Sequence, residues 1–187
     1  MAWFAHASNA VNVGRAVGEA SGRSCTINIT NGSRVYSLVN PKVWMISGYN
    51  THPPPPTVGS KQKGVCAFSK TTGTATGAVG VLTYDLFIRE KCRAEKMMAI
   101  MFSVPFDYTY YENWLAVGIF DLGQPCDHAL YNLMYYKHDP RFVRARATDP
   151  SMLFTWGSVE IRASMSNACS AIAQVEIHDK CNSKMCY

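Results

Sequence analysis

Residues 171–178 read Ala-Ile-Ala-Gln-Val-Glu-Ile-His, and this stretch decides the fold class. Ala171, Ala173, Val175 and Ile177 fall on one side while Gln174, Glu176 and His178 fall on the other. That two-residue period fits a half-buried β-strand and no helix. Outward from it, short apolar runs recur at 25–30, 35–40, 43–47, 64–70, 77–84, 97–104, 115–120 and 153–165, separated by Gly, Pro and Asn. Many short strands with such punctuation predict an all-β chain, an antiparallel β-sandwich. Asn31-Gly32 is the expected turn between two of these strands. Pro53–Pro56 is expected to be a rigid extended loop, because proline cannot donate to a central ladder.

Two stretches keep a helical period instead. Ala10, Val13, Val17 and Ala20 form one stripe and Asn12, Arg15 and Glu19 the other, with Ser8 as a start signal and Gly22 as a stop. Asp127 is the expected cap of a second short helix running to Tyr136, with Tyr131 and Tyr135 four residues apart on one face. The sandwich is therefore expected to be flanked by two short α-helices. One domain is expected over 1–187, with a helical segment at 1–22, the sandwich at 23–180 and a tail at 181–187.

Composition bounds the function. The 187 residues are 48% hydrophobic and 17% charged, which is apolar for a folded soluble chain. No run approaches the 18 or so apolar residues that a membrane-spanning helix needs. No basic segment followed by a leucine-rich run marks a signal peptide. The net charge is +5, and it is unevenly spread. Between Glu19 and Asp85 there is no acidic residue, but there are six cations: Arg23, Arg34, Lys42, Lys61, Lys63 and Lys70. A one-signed surface favours an anionic or zwitterionic partner, nucleic acid or lipid. The seven cysteines contain no Cys-x-x-Cys, and their disulfide state is open. Asn28-Ile29-Thr30 and Asn31-Gly32-Ser33 are glycosylation sequons, relevant only to a secreted chain.

Catalytic patterns are missing. The five histidines are scattered, without His-x-His or His-Glu-x-x-His, so metal catalysis has no support. There is no Gly-x-Ser-x-Gly elbow, and the glycine-rich run 73–80 lacks the lysine of a phosphate loop. We expect no enzyme, no cofactor and no metal. Aromatic residues stand out instead: ten of 22 lie between Phe102 and Tyr136. Tyr108, Tyr110, Tyr111 and Trp114 follow a proline in an apparent loop, and Tyr131, Tyr135 and Tyr136 come from the second helix. Amphipathic rings suit a membrane interface, and several tyrosines together can surround a quaternary ammonium. Core packing, sugar stacking and single-stranded nucleic acid are the alternatives this composition leaves open.

Three motifs carry a resemblance. FSVPFDYTYYENW at 102–114, TGAVGVLTY at 76–84 and LYNLMYY at 130–136 are similar, in order and spacing, to the actinoporins. These are pore-forming cytolysins of sea anemones, with vertebrate relatives; the insert at 88–96 and the cysteines resemble the vertebrate branch. The similarity runs from about Arg23 to Lys180. It implies a β-sandwich with two helices that binds sphingomyelin-containing membranes, forms a homo-oligomer there and inserts its amino-terminal helix as a cation-conducting pore.

Carried over residue by residue, the resemblance implies a phosphocholine pocket of Ser47, Val79, Ser103, Pro105, Tyr111, Tyr131, Tyr135 and Tyr136. Tyr110 and Trp114 would touch the bilayer. Asn12, Arg15 and Glu19 would line the pore. The resemblance further implies a secreted protein, soluble before it meets its target membrane, and no nucleic-acid partner.

Departures from the family pattern bear on these expectations. Phe106 replaces a usual tyrosine and Leu115 the second tryptophan of a Trp-Trp pair, and both changes are expected to remove interfacial anchoring. The family's Arg-Gly-Asp is absent, the chain reading Phe142-Val143-Arg144-Ala145. Gly14 and Gly18 weaken the first helix, which at 20 residues would be about 30 Å long. A second reading, a lipid- or glycan-binding module without pores, rests on fungal fruit-body lectins that share such a sandwich.

Overall fold

Alternating side chains give each strand one apolar face, and two sheets close over those faces. The computed structural model describes residues 22–180. Its elements are β1 (Ser24–Asn31), β2 (Tyr36–Ser47), β3 (Tyr49–His52), β4 (Thr57–Val58), β5 (Lys63–Ser69), β6 (Ala78–Ile88), β7 (Arg93–Val104), β8 (Trp114–Asp121), α1 (His128–Tyr136), β9 (Phe142–Arg146), β10 (Met152–Trp156), β11 (Val159–Met165) and β12 (Ser170–Asp179). The first sheet has the order β10-β11-β12-β1-β5-β3 and the second β4-β2-β6-β7-β8-β9. The sandwich expected from alternation is there. In β12, Ala171, Ala173, Val175 and Ile177 are buried and Gln174 and Glu176 exposed.

All ladders are antiparallel except one: β1 runs parallel to β12, Ser24 beside Ser170 through Asn31 beside Ile177. Asn31-Gly32 does not close a hairpin, because β1 and β2 lie in different sheets. Asn31 instead ties the sheets together. Its buried side chain donates to the carbonyls of Tyr36 (2.9 Å) and Val58 (3.0 Å) and accepts from the Ser33 amide (3.1 Å). Its amide is therefore out of reach of a glycan, which removes one of the two sequons.

The strands expected at 35–40 and 43–47 are one strand, β2, irregular between Val39 and Lys42 where Asn40 takes φ 53°. The run 153–165 is instead two strands, folded back at Gly157 with φ 56°. Gly48, with φ 83°, passes the chain from β2 to β3 and so from one sheet to the other. A Cβ there would stand 2.3 Å from the Ser69 carbonyl oxygen. Pro53–Pro56 is a loop between β3 and β4, as expected, held by the buried Tyr84 phenol, which donates to the Pro55 carbonyl at 2.8 Å. The insert at 88–96 is the turn and upper part of the β6–β7 hairpin.

Of the two expected helices, the second is α1. Asp127 caps it, accepting from the Leu130 amide at 2.9 Å, a contact worth about 1 kcal/mol. The first, with Asn12, Arg15 and Glu19, lies outside the described residues, as does the tail at 181–187. The main core lies between the sheets, where Phe68 and Phe102 stack at 4.5 Å. A second apolar cluster lies on the outer face of the second sheet, where Val81, Met101, Ala116 and Phe120 meet Leu130, Tyr131 and Met134 of α1. That second cluster positions the site.

Candidate functional site

The registers of the second sheet align one row of side chains across five strands. Ser47 of β2 pairs with Val79 of β6, Val79 with Ser103 of β7, Ser103 with Trp114 of β8, and Trp114 with Arg146 of β9. Paired residues share a sheet face, so the row forms a continuous strip. It is the outer face, because the next row along carries Val81, Met101 and Ala116, which pack under α1. Small side chains at Ser47, Val79 and Ser103 leave the strip low; Trp114 bounds it. Pro105, just beyond the end of β7, is buried at the edge.

The α1 helix hangs its tyrosines over this strip. Tyr131 and Tyr135, one turn apart, stack at 5.5 Å, and Tyr136 meets Tyr135 edge-on at 4.7 Å. Tyr135 in turn meets Trp114 edge-on at 6.4 Å. Each such pair is worth about 0.5–1.5 kcal/mol beyond area burial, so the rings hold one another. Exposure rises along the cluster, from 6% at Tyr131 to 65% at Tyr136. Ser103, 4% exposed, lies close to the Tyr131 and Tyr135 phenols. Burial, then the neighbouring tyrosines, push the Tyr131 phenol well above its ordinary range. Burial and Tyr136 raise Tyr135 too, with Arg144 opposing. Both therefore stay neutral hydrogen-bond donors at any physiological pH. Ser47 is different: its hydroxyl already donates to the Gly77 carbonyl at 3.0 Å.

The loop 105–113 presents two more rings. Asn113, fully buried, fixes its base by donating to the carbonyls of Ser166 (3.3 Å) and Ala168 (3.0 Å). Tyr108 donates to Asn113 Oδ1 at 2.9 Å, and Arg23 stacks over its ring at 4.9 Å. Tyr108 thus braces the loop, whereas Tyr110 (79% exposed) and Tyr111 (58%) project from it. Tyr111 lies near enough to Tyr135 to raise its phenol electrostatically, which brings the loop to the helix cluster. Leu115, expected as a lost membrane anchor, is buried in the main core on the inner face. A side chain there cannot reach a bilayer, so that expectation is corrected. Phe106 is exposed, with Arg23 and Lys70 over its ring at 5.6 and 5.1 Å.

The fold thus brings together Ser47, Val79, Ser103, Pro105, Tyr111, Tyr131, Tyr135, Tyr136 and Trp114, with Tyr110 beside them on the loop. Sequence reading missed Arg144 and Arg146. Both reach the Trp114 ring, at 5.2 and 5.8 Å. Arg144 Nη1 is also shared among the carbonyls of Met134 (3.2 Å), Tyr135 and Lys137 (3.5 Å), closing the carboxyl end of α1. A cation there satisfies the helix dipole as well as the orphan carbonyls. The signal was available: two arginines at i, i+2 in 142–146 sit on one strand face, and Trp114 is the register partner of one.

Among the described residues, no three His, Cys, Asp or Glu side chains converge to hold a metal, and no helix is long and apolar enough to cross a membrane. The five described cysteines are free thiols.

Comparison with known proteins gives the family and the fold. The family model for "Sea anemone cytotoxic protein" matches residues 16–179. Tereporin-Ca1 of Terebra anilis is 31% identical over 166 residues, covering 82% of this chain and 83% of that protein. DELTA-alicitoxin-Pse1b of Phyllodiscus semoni is 44% identical over 66 residues, a stretch covering 35% of this chain but only 26% of the toxin. Among solved structures, the lipid binding protein Nakanori superposes with a TM-score of 0.67 over 93% of this chain and 80% of its own, at 14% identity, a likeness of fold. With the family model matching residues 16–179 and a relative 31% identical over about four-fifths of each chain, the chain belongs to the sea anemone cytotoxic protein family, the actinoporins.

Proposed function

We propose that the chain is a membrane-binding cytolysin that captures phosphocholine headgroups, those of sphingomyelin included, between Tyr131, Tyr135, Tyr136 and the strip beneath them. Tyr110, Tyr111 and Trp114 meet the interface. The chain then associates with copies of itself and inserts its amino-terminal segment, with Asn12, Arg15 and Glu19 facing the lumen of a cation-conducting pore. That last step rests on family membership alone.

The observation that carries the headgroup reading is convergence: three phenol rings of one helix stand over a strip of small side chains, with the outer ring and the adjoining loop open to water. A quaternary ammonium gains about 0.5–2 kcal/mol from each ring face. Its phosphate needs hydrogen-bond donors, and the neutral phenols and Ser103 supply them. Ser47, with its hydrogen committed to Gly77, shapes the wall and accepts rather than donates. Tyrosine and tryptophan rings with wet polar ends also suit the headgroup level of a bilayer.

Dye release from phosphatidylcholine liposomes with and without sphingomyelin, with pelleting of bound protein in parallel, tests this directly. Release and binding that depend on sphingomyelin are expected. Binding without release reduces the reading to a lipid-binding module without pores. Absence of both binding and release overturns it in favour of a glycan partner.

A further inference from the structure

Against Trp114 and the segment that follows α1 lies a cavity of about 710 Å³ to which no role has been given. Its walls are the segment after α1 (Lys137, His138, Asp139, Pro140), the outward residues of β9 (Phe142, Arg144, Arg146) and Asp149, with Trp114 as the partition. That volume is in the range of small-ligand sites. We propose that this cavity is a second headgroup subsite, taking the phosphate of an acidic phospholipid beside the choline site, so that neighbouring lipids are held on the two faces of Trp114. The inference rests on the headgroup reading above.

The charges decide the class of ligand. Lys137, Arg144 and Arg146 contribute three cations, against the carboxylates of Asp139 and Asp149. Asp139 is already taken: Arg141 clasps both its oxygens, at 2.8 and 2.7 Å, and holds its carboxyl down at about 2. Asp149 and Glu112 reach Arg146 only loosely, at 3.7 and 3.4 Å, on exposed side chains. Such pairs are worth little, so an entering phosphate competes for Arg146 without a large loss. The side chains of Lys137 and His138 have no hydrogen bond or ion pair among the described residues. Arg144 is occupied by the helix carbonyls and orients the wall. A phosphate therefore meets an unpaired ammonium and a weakly held guanidinium on one rim, which is the pairing that phosphate groups favour.

The position fits a membrane ligand better than a free one. The cavity shares Trp114 with the tyrosine cluster and opens on the outer face of the same sheet, so a bilayer touching one would touch the other. Each basic residue near an anionic membrane surface contributes on the order of a fivefold gain in binding.

The test compares pelleting with phosphatidylcholine/sphingomyelin vesicles before and after part of the phosphatidylcholine is replaced by phosphatidylserine. Wild type is expected to bind the acidic vesicles more than tenfold better. In K137Q/R146Q the ratio of acidic to uncharged vesicle binding is expected to fall to about one. R34Q/K63Q removes two cations at the opposite end of the sandwich, and is expected to keep most of the gain. Inorganic phosphate is added as a competitor: suppression of the gain at millimolar phosphate would point to a free-phosphate site and overturn the lipid assignment. An equal loss of the gain in both double variants would overturn the subsite in favour of overall charge, as would a wild type indifferent to phosphatidylserine. Failure to bind the uncharged vesicles in the first place would instead count against the choline site.

Discussion

Each end of the sandwich carries a tryptophan beside a cation, yet the two ends differ in what surrounds it. At one end Trp156 lies under Lys96 at 5.9 Å, in a shallow hollow of about 120 Å³ with Tyr36, Ile88 and Ile119. At the other, Trp114 carries Arg144 and Arg146, touches Tyr135, and borders the strip Ser47–Val79–Ser103. The charges lining the Trp156 hollow are spent: Lys96 pairs with Asp121 at 2.6 Å, and Glu95 is taken by Arg93 and Lys91 at 2.7 and 3.0 Å. The Tyr36 phenol there is already joined to Ser158 at 3.0 Å. At the Trp114 end the Tyr136 and Tyr111 phenols have no partner among the described residues. An exposed aromatic is ordinary; several rings converging with unspent donors is what distinguishes a site.

The largest expected effect comes from removing the convergence. Tyr135→Ala with Tyr136→Ala deletes two ring faces and is expected to weaken vesicle binding about a hundredfold, at roughly 1.4 kcal/mol per ring, with an unchanged far-ultraviolet spectrum. Vesicle binding within threefold of wild type would assign the site elsewhere. Ser103→Ala removes the hydroxyl beneath the rings. It is expected to cost about 1 kcal/mol, near fivefold in binding, measured by the same pelleting assay.

Stability at high pH sharpens the same contrast between buried and exposed phenols. Tyr131 and Tyr135 have raised phenols because the folded state shields them. The unfolded chain gives up those protons first, at about pH 10, so folding stability is unaffected below that pH and falls as the pH climbs beyond it. Tyr131→Phe is expected to make this alkaline decline shallower by about one proton in denaturant titrations at several pH values. A slope equal to that of wild type would mean that Tyr131 is less shielded than its burial indicates. The smallest effect is expected at the other end. Trp156→Ala should leave vesicle binding within twofold, and a larger loss would show that the two ends act together.

Much of this was legible in the sequence, for physical reasons. Alternation marks half-buried strands, so β12 was readable from 171–178 alone. Asp127 followed by apolar residues at helical spacing marked α1 and, with it, the three tyrosines. Pairing was not legible. Nothing in a strand's own pattern says that β1 lies parallel to β12, because that ladder joins residues about 146 positions apart. The cross-strand row is a property of register and bulges, so Ser47, Val79 and Ser103 entered only through resemblance. The strand β9 carries no clean alternation of apolar and polar residues: Arg144 and Arg146 share a face with Phe142 and reach over Trp114, and Arg144 also closes the end of α1. Leu115 misled for the opposite reason. A motif position next to Trp114 looks like its companion, yet adjacent strand residues face opposite sides of the sheet.

The central claim is that the strip under α1 holds phosphocholine, and titration of isotope-labelled protein with soluble phosphocholine tests it most directly. Saturable amide shifts are expected at Val79, Ser103, Trp114 and Tyr131–Tyr136, with Trp156 and its neighbours unmoved. Saturable shifts centred on Trp156, or a spectrum unchanged at millimolar phosphocholine, would contradict it.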